Sequence, residues 1–445
     1  MMRLGRSLPG SSIDKIADEP EVSASSIPAD TRDAIFKTVR ERLDLDKATR
    51  TSREQLAQQL ESAISEIANE SGHQISEVEQ RQLARQLADE MRGIGPLQTL
   101  LEDQSITDIM VNGPDSIYVE RAGRLVQTRT SFRDEKHLQS VAKRIASRIG
   151  RRLDEQSPMV DARLDDGSRV NIVLPPISLR GTLISIRRFP AHAITLDMMT
   201  SNQNMSPQMR TFLQAAARGR LNIVISGGTG SGKTTLLNAI SQYIDPTERI
   251  VTIEDAAELR LQQDHVLPLE TRPPSLEGTN EINQRDLVRN ALRMRPDRII
   301  LGEVRGAEAF DMLQAMNTGH DGSMATLHAN APREALTRIE NMLMQAGFEL
   351  PSRAMRQQIA DAVDIVCQVE RMNDGMRRIT QIDEVTGIEG ETISTQTLFK
   401  FTYSESMGKV KGGFEVVGTS PRCIEKLKRH GLEAATRAIF SGSGG

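Results

Sequence analysis

Residues 221–238, LNIVISGGTGSGKTTLLN, constrain this chain more than any other stretch. An apolar run (Leu221, Ile223, Val224, Ile225) reads as a short buried strand, and Leu236, Leu237, Ile240 and Ile244 mark the face of an amphipathic helix. Between them, 227–234 fits G-x-x-x-x-G-K-[ST], a phosphate-binding loop. Glycines at 227, 228, 230 and 232 free the backbone to curl, so that N–H groups of the loop, including Thr229 and Ser231, converge on phosphate oxygens. Lys233 is placed to reach the β- and γ-phosphates, and the Thr234 hydroxyl to ligate Mg²⁺. The helix that starts near Thr234 and Thr235 brings its positive end to the same cradle. A strand–loop–helix unit of this kind belongs to an α/β fold with a parallel sheet.

A chain of 445 residues holds two or three domains and buries a sizeable core. A net charge of −4 excludes a strongly basic nucleic-acid binder, and 3% aromatic residues with no Trp leave little for stacking bases. Nucleic acid is therefore an improbable partner. The two cysteines, Cys367 and Cys423, imply no disulfide framework and fit a reducing cytosol. No apolar run approaches the ~18 residues of a membrane span, and Arg3 and Arg6 are not followed by the apolar segment of a signal peptide. Membrane association is expected through partners.

Along the chain, 1–30 lacks apolar periodicity and reads as a disordered tail. Three helical patterns at 30–45, 52–70 and 76–91 suggest a three-helix bundle over 31–92, with Ser52 and Gln55 forming a capping box. Short strands, two hairpins (one turning at Ala122 and Gly123) and a helix over 135–149 make 96–190 an α+β domain. Residues 191–207 read as a linker. From 208 to 385 strands at 221–226, 249–254, 298–303, 323–328 and 364–370 alternate with helices, as in a RecA-like domain with helices on both faces. Residues 386–445 read as a β extension with a disordered end at 442–445.

In such a sheet, ligands bind beyond the carboxyl ends of the strands. Glu254 and Asp255 close one strand, and Glu303 closes the next. Glu303 is the candidate metal-linked acid beside Thr234. Glu254 is the candidate for polarising an attacking water, with Asp255 as its alternative. His320, in a loop between Gly319 and Gly322, and His328, at a strand end, are candidates for contacting a γ-phosphate as neutral imidazoles. Phosphoryl transfer also requires positive charge, for which Arg305 is available in the same region. Arg163, Arg169, Arg187 and Arg188 lie on strands of the preceding domain, and Arg169 and Arg187 are expected to clamp the nucleotide.

With GGTGSGKTT, IEDAAEL, RMRPDRIILGEVRG and TGHDGSMATLHAN in order, residues 90–400 resemble the ATPases of type II and type IV secretion and type IV pili. DIMVNGPDSIYVERAGRL, VDARLDDGSRVNIVLPP and LISIRRF are similar to the N-terminal domain of the CpaF/TadA branch, which serves the Tad (Flp) pilus. The resemblance implies a cytoplasmic homohexamer of two-domain subunits with ATP and Mg²⁺ held between domains. It further implies docking on inner-membrane platform proteins, with pilins as indirect partners. Alternatives remain: a motor moving effector or nucleoprotein substrates, a nucleic-acid translocase, and a nucleotide-dependent regulator of low turnover.

Overall fold

A computed structural model describes residues 29–42, 53–72, 75–91, 93–121, 124–164, 166–188, 193–272, 280–347, 350–406, 409–418 and 421–441. Most of the expected tail over 1–30, the Ser52 cap, the turn at Ala122 and Gly123, and 442–445 lie outside them. The chain divides into two compact units, Met1–Ala191 and His192–Gly445. Among the described residues, no helix is long and apolar enough to cross a membrane.

The first unit opens with helices α1 (Ala29–Arg42), α2 (Arg53–Glu70) and α3 (Glu77–Met91). Leu56, Leu60, Ile64 and Ile67 recur at helical spacing along α2 and bury against Ile35 and Val39 of α1 and Leu83 and Leu87 of α3. Glu79 and Ser76 close a capping box on α3, Ser76 N–H donating to Glu79 Oε2 at 2.9 Å and Glu79 N–H to Ser76 Oγ at 3.3 Å. A short helix, α4 (Leu97–Glu102), then leads into strands β1 (Ile106–Asn112), β2 (Ile117–Arg121) and β3 (Arg124–Gln127). Helix α5 (Glu135–Arg148) follows, with β4 (Met159–Arg163), β5 (Arg169–Val173) and β6 (Leu183–Arg187). The six strands form one antiparallel sheet in the order β3-β2-β1-β6-β5-β4. Leu138, Val141, Ala142 and Ile145 of α5 share a core with Ile109, Val119, Ile172 and Ile184 of the sheet.

The second unit begins before the expected RecA-like boundary. Helix α6 (Leu196–Ser201) is capped by Thr195, and Leu196, Met199 and Met205 are buried in the same core as the phosphate-loop strand. Residues 193–207 are therefore packed structure and not a linker, because a helix of six residues places its apolar side chains where they bury. Helix α7 (Pro207–Arg218) starts at the Ser206 cap with Pro207 in its first turn. Strand β7 (Ile223–Gly227) and helix α8 (Lys233–Ser241) flank the phosphate loop. Then come β8 (Ile250–Glu254), β9 (Val266–Glu270), α9 (Gln284–Ala291), β10 (Arg298–Leu301), α10 (Glu308–Asn317), β11 (Met324–Leu327), α11 (Pro332–Gln345) and α12 (Ser352–Ala362). Strands β12 (Ile365–Arg371), β13 (Arg377–Glu389), β14 (Thr392–Ser406) and β15 (Lys409–Val416) precede the closing helices α13 (Ile424–Lys428) and α14 (Glu433–Ser441).

Nine strands form one sheet, β15-β14-β13-β12-β7-β11-β10-β8-β9. From β12 to β9 neighbours run parallel, and β12 to β15 are antiparallel. Every residue of β7, β8, β10 and β11 is buried, as expected of parallel strands covered on both faces. The segment read as an extension over 386–445 shares this sheet and core. Phe399 of β14 and Phe440 of α14 lie 5.4 Å apart, and Phe212 of α7 is 5.4 Å from the first and 6.1 Å from the second. Each such pair is worth about 0.5–1.5 kcal/mol beyond the area it buries. Strand β9, an edge strand beside β8, also went unforeseen, its Pro268 concealing the pattern.

Candidate functional site

The phosphate loop leaves the carboxyl end of β7 and turns into α8 through Gly230 (φ 69°) and Gly232 (φ 98°), both in the left-handed region that glycine reaches without strain. Lys233 opens the helix, and its ammonium donates to the carbonyls of Gly227 and Gly228 at 3.0 and 2.9 Å, so the cation sits at the loop's mouth. Gly228 and Thr229 are exposed, whereas Ser231 is 2% exposed beneath them. Gly227 is required by close approach. A Cβ there would lie 2.3 Å from the Val369 carbonyl oxygen and 2.6 Å from Ser231 Oγ.

Since β7, β8, β10 and β11 are parallel neighbours, their carboxyl ends gather round this loop. Glu254, the last residue of β8, is buried and packs against Gly302, where an added Cβ would meet its Cγ at 2.7 Å. One carboxylate oxygen of Glu254 accepts from the N–H groups of Glu258 and Leu259 at 2.8 and 3.0 Å, which fixes the side chain in direction. Two residues beyond β10, Glu303 lies 3.4 Å from His328 Nε2, which follows β11 directly. His328 is held below the usual imidazole range. Burial disfavours its charged form most, and the Lys233 charge adds to this against an opposing pull from Glu303. The ring is thus neutral near pH 7. Lys233 of the loop and Glu303 act on His328 in opposite senses.

His320 does not join them. Four residues before β11, its loop is pinned at the amino end of the sheet, where Asn222 Oδ1 accepts from the N–H groups of Gly322 and Ser323 at 2.8 and 3.1 Å. Met324 pairs with Ile223 and Leu327 with Ser226, so the strand itself spans about 10 Å at 3.3 Å per residue, and the two histidines lie beyond its opposite ends. The histidine at the strand's start faces the end opposite the phosphate loop. The same end holds a buried pair that the sequence did not suggest. Arg298, fully buried, donates to both oxygens of Glu248 at 2.6 and 2.8 Å and to Gly322 O at 3.3 Å. A charged residue opening an apolar strand was the available signal.

Arg305 is exposed and ion-paired with Asp255, which also accepts from Thr271 Oγ1 at 3.2 Å. In the first unit, cross-strand pairing sets Arg163, Arg169 and Arg187 side by side on β4, β5 and β6, with Asp108 next in the row. Directly opposed residues share a face, so the three arginines form a row that ends in Asp108. Arg169 makes a two-point pair with Asp161 at 3.1 and 2.5 Å. Arg188 instead donates to the Ile106 and Asp103 carbonyls and anchors the backbone.

Thr234 and Glu303 offer the hard oxygen donors that Mg²⁺ prefers. Among the described residues no three His, Cys, Asp or Glu side chains gather into a metal cage. Mg²⁺ characteristically takes one or two protein oxygens and completes its shell with phosphates and water. The Thr234 hydroxyl and the Glu303 carboxylate, at the head of α8 and just past β10, are the residues that would hold it. The chemistry available here is binding of a nucleotide's phosphates, with carboxylates beside them to take a proton from water.

A family model described as Type II/IV secretion system protein matches residues 90–398. The chain is 39% identical over 312 residues to a putative conjugal transfer protein of Mycobacterium tuberculosis, covering 69% of this chain and 88% of the relative. It is 38% identical over 309 residues to the type IV secretion system protein PtlH of Bordetella pertussis, covering 63% of this chain and 91% of the relative. Among solved structures, the VirB11 ATPase of Brucella suis is 29% identical, covers 64% of this chain and 94% of its own, and superposes with a TM-score of 0.35.

Proposed function

Because the chain belongs to the type II/IV secretion system protein family, we propose that it is an ATPase whose turnover drives a secretion or pilus machine. One observation carries this reading: the phosphate loop, Glu254, Glu303 and His328 meet at the carboxyl ends of four adjacent parallel strands. Loop amides and Lys233 would bind the triphosphate, and α8 adds its positive end. Glu254, held by two backbone N–H groups, is placed to orient the attacking water and accept its proton. Bound Mg²⁺ would neutralise charge on the phosphates. Neutral His328 has one N–H to give, to the γ-phosphate when nucleotide is bound and to Glu303, 3.4 Å away, when it is not, and so would report the loss of the phosphate. The arginine row of Arg169 and Arg187 is proposed as the clamp that completes the charge on the transferring group, with Arg305 a further candidate. Unchanged turnover in both Arg169→Ala and Arg187→Ala would remove the clamp.

For the load, the resemblance of the N-terminal motifs to those of the CpaF/TadA branch supports a Tad-type pilus. That reading brings a hexameric ring at the cytoplasmic side of the inner membrane, docked on platform proteins. A second reading, a type IV secretion motor moving effector or nucleoprotein substrates, is favoured by relatives named for conjugal transfer and type IV secretion. Cells carrying Glu303→Gln separate them: loss of pili with normal export supports the first, and the reverse supports the second. Normal pili together with normal export would overturn the motor.

A further inference from the structure

We propose that Arg377, on a strand outside the phosphate-loop motif, is a positioning residue for the loop: it sets the backbone amides that receive the phosphates. The inference rests on the nucleotide site proposed above and adds a member to it. Strand β12 runs parallel to β7 with Val369 opposite Gly227, and β13 returns antiparallel with Arg377 opposite Arg371. The start of β13 is thereby brought to the loop end of the sheet. Its backbone is fixed there from two sides. The turn over 372–376 closes with Gly375 N–H donating to Met372 O and Met372 N–H to Met376 O, each at 2.9 Å. Asn204 donates through Nδ2 to Arg377 O at 2.5 Å and accepts Ile379 N–H at 2.9 Å.

From that anchor the arginine reaches the loop. Its Nε donates to Gly230 O at 2.9 Å, and its Cδ would be 3.2 Å from a Cβ placed on Gly232. The side chain therefore lies along the loop from one left-handed glycine to the other. A trans peptide points its C=O and N–H in opposite directions. Holding the Gly230 oxygen toward Arg377 turns the Ser231 N–H the other way, where it makes a 3.4 Å bond to Gly228 O within the loop. Inward N–H groups at alternating left- and right-handed residues form an anion cradle. Arg377 is exposed, so its contact contributes little as buried packing and acts on the loop's shape and local charge.

The test uses the full chain, a fluorescent ADP analogue and steady-state ATP turnover. For Arg377→Ala, affinity for the analogue is expected to fall about tenfold, the worth of one charge-assisted hydrogen bond, with KM for ATP rising equally and kcat nearly unchanged. Arg377→Lys keeps the charge without the Nε–H and is expected to restore little. Affinity at the wild-type level in Arg377→Ala would overturn the inference, and so would full rescue by Arg377→Lys, which would reduce the residue to a general positive charge. Should Arg377→Ala fail to fold, the lysine variant alone decides. Lys233→Ala is the reference: if it still binds the analogue, the site reading falls and the inference with it. If Lys233→Ala loses binding while Arg377→Ala keeps it, the inference alone falls.

Discussion

Gly227→Ala tests how closely the phosphate loop is built into the sheet. The new Cβ would stand 2.3 Å from Val369 O and 2.6 Å from Ser231 Oγ. Neither neighbour yields easily. Val369 belongs to β12 and is paired in register with Gly227 itself, and Ser231 is 2% exposed. Relief requires the end of β7 to part from β12 by about 1 Å, the overpacking response that costs roughly 1–3 kcal/mol. For a unit of this size each kcal/mol lowers Tm by about 2–4 °C, so a fall of roughly 2–12 °C is expected. Gly228→Ala is the matched control. Its Cβ meets nothing within 4 Å, and its stability should stay within about 0.5 kcal/mol of wild type. Thermal melts with and without ADP read both effects, since a ligand at a hundred times its Kd adds about 2.7 kcal/mol. Gly227→Ala should also lose most of the ADP-dependent rise. A variant melting with the wild type and showing the same rise would refute the reasoning.

Three further outcomes follow from the geometry. His328 is depressed below its unfolded value of 6.5, so below that pH the unfolded chain binds the extra proton first; stability should fall as pH drops from 6.5 toward the lower native value. In His328→Gln that part of the slope in urea midpoint against pH should disappear, and an unaltered slope would contradict the assignment. Glu248→Ala strands the fully buried Arg298 and should cost about 3–5 kcal/mol in denaturant unfolding, with much of the loss recovered when Arg298→Met is added. His320→Ala should leave ADP affinity within about twofold of wild type, because its loop is pinned at the amino end of the sheet and the phosphate loop leaves the carboxyl end; a larger loss would return His320 to the site.

The parallel core was legible because its strands are continuous apolar runs, and the loop because its glycines, Lys233 and Thr234 stand at fixed spacing. Glu254, Glu303 and His328 could be read from the rule that ligands lie beyond strand carboxyl ends. The same rule, applied to His320, would have set it at the far end, since it precedes β11. The glycines at 319 and 322 had made His320 look like part of a second phosphate-facing loop. Leu196 and Met199 were hidden between Pro190 and Pro207 in a helix of six residues, too short for a periodic signal. The C-terminal strands looked separate because, although 364–370 reads as a strand of the parallel sheet, nothing in an antiparallel hairpin says that its later strands extend the sheet already formed. For the same reason Arg377 was invisible: its place beside Gly230 depends on β13 returning along β12.

The central claim is that the carboxylates at the strand ends turn a phosphate-binding loop into a hydrolytic site. Phosphate release from ATP by the purified full chain, wild type against Glu254→Gln, tests it most directly. The wild type should turn over, and the variant should keep ADP affinity while losing about a hundredfold or more in rate, as removal of a general base does. A Glu254→Gln protein that hydrolyses ATP at the wild-type rate would contradict it.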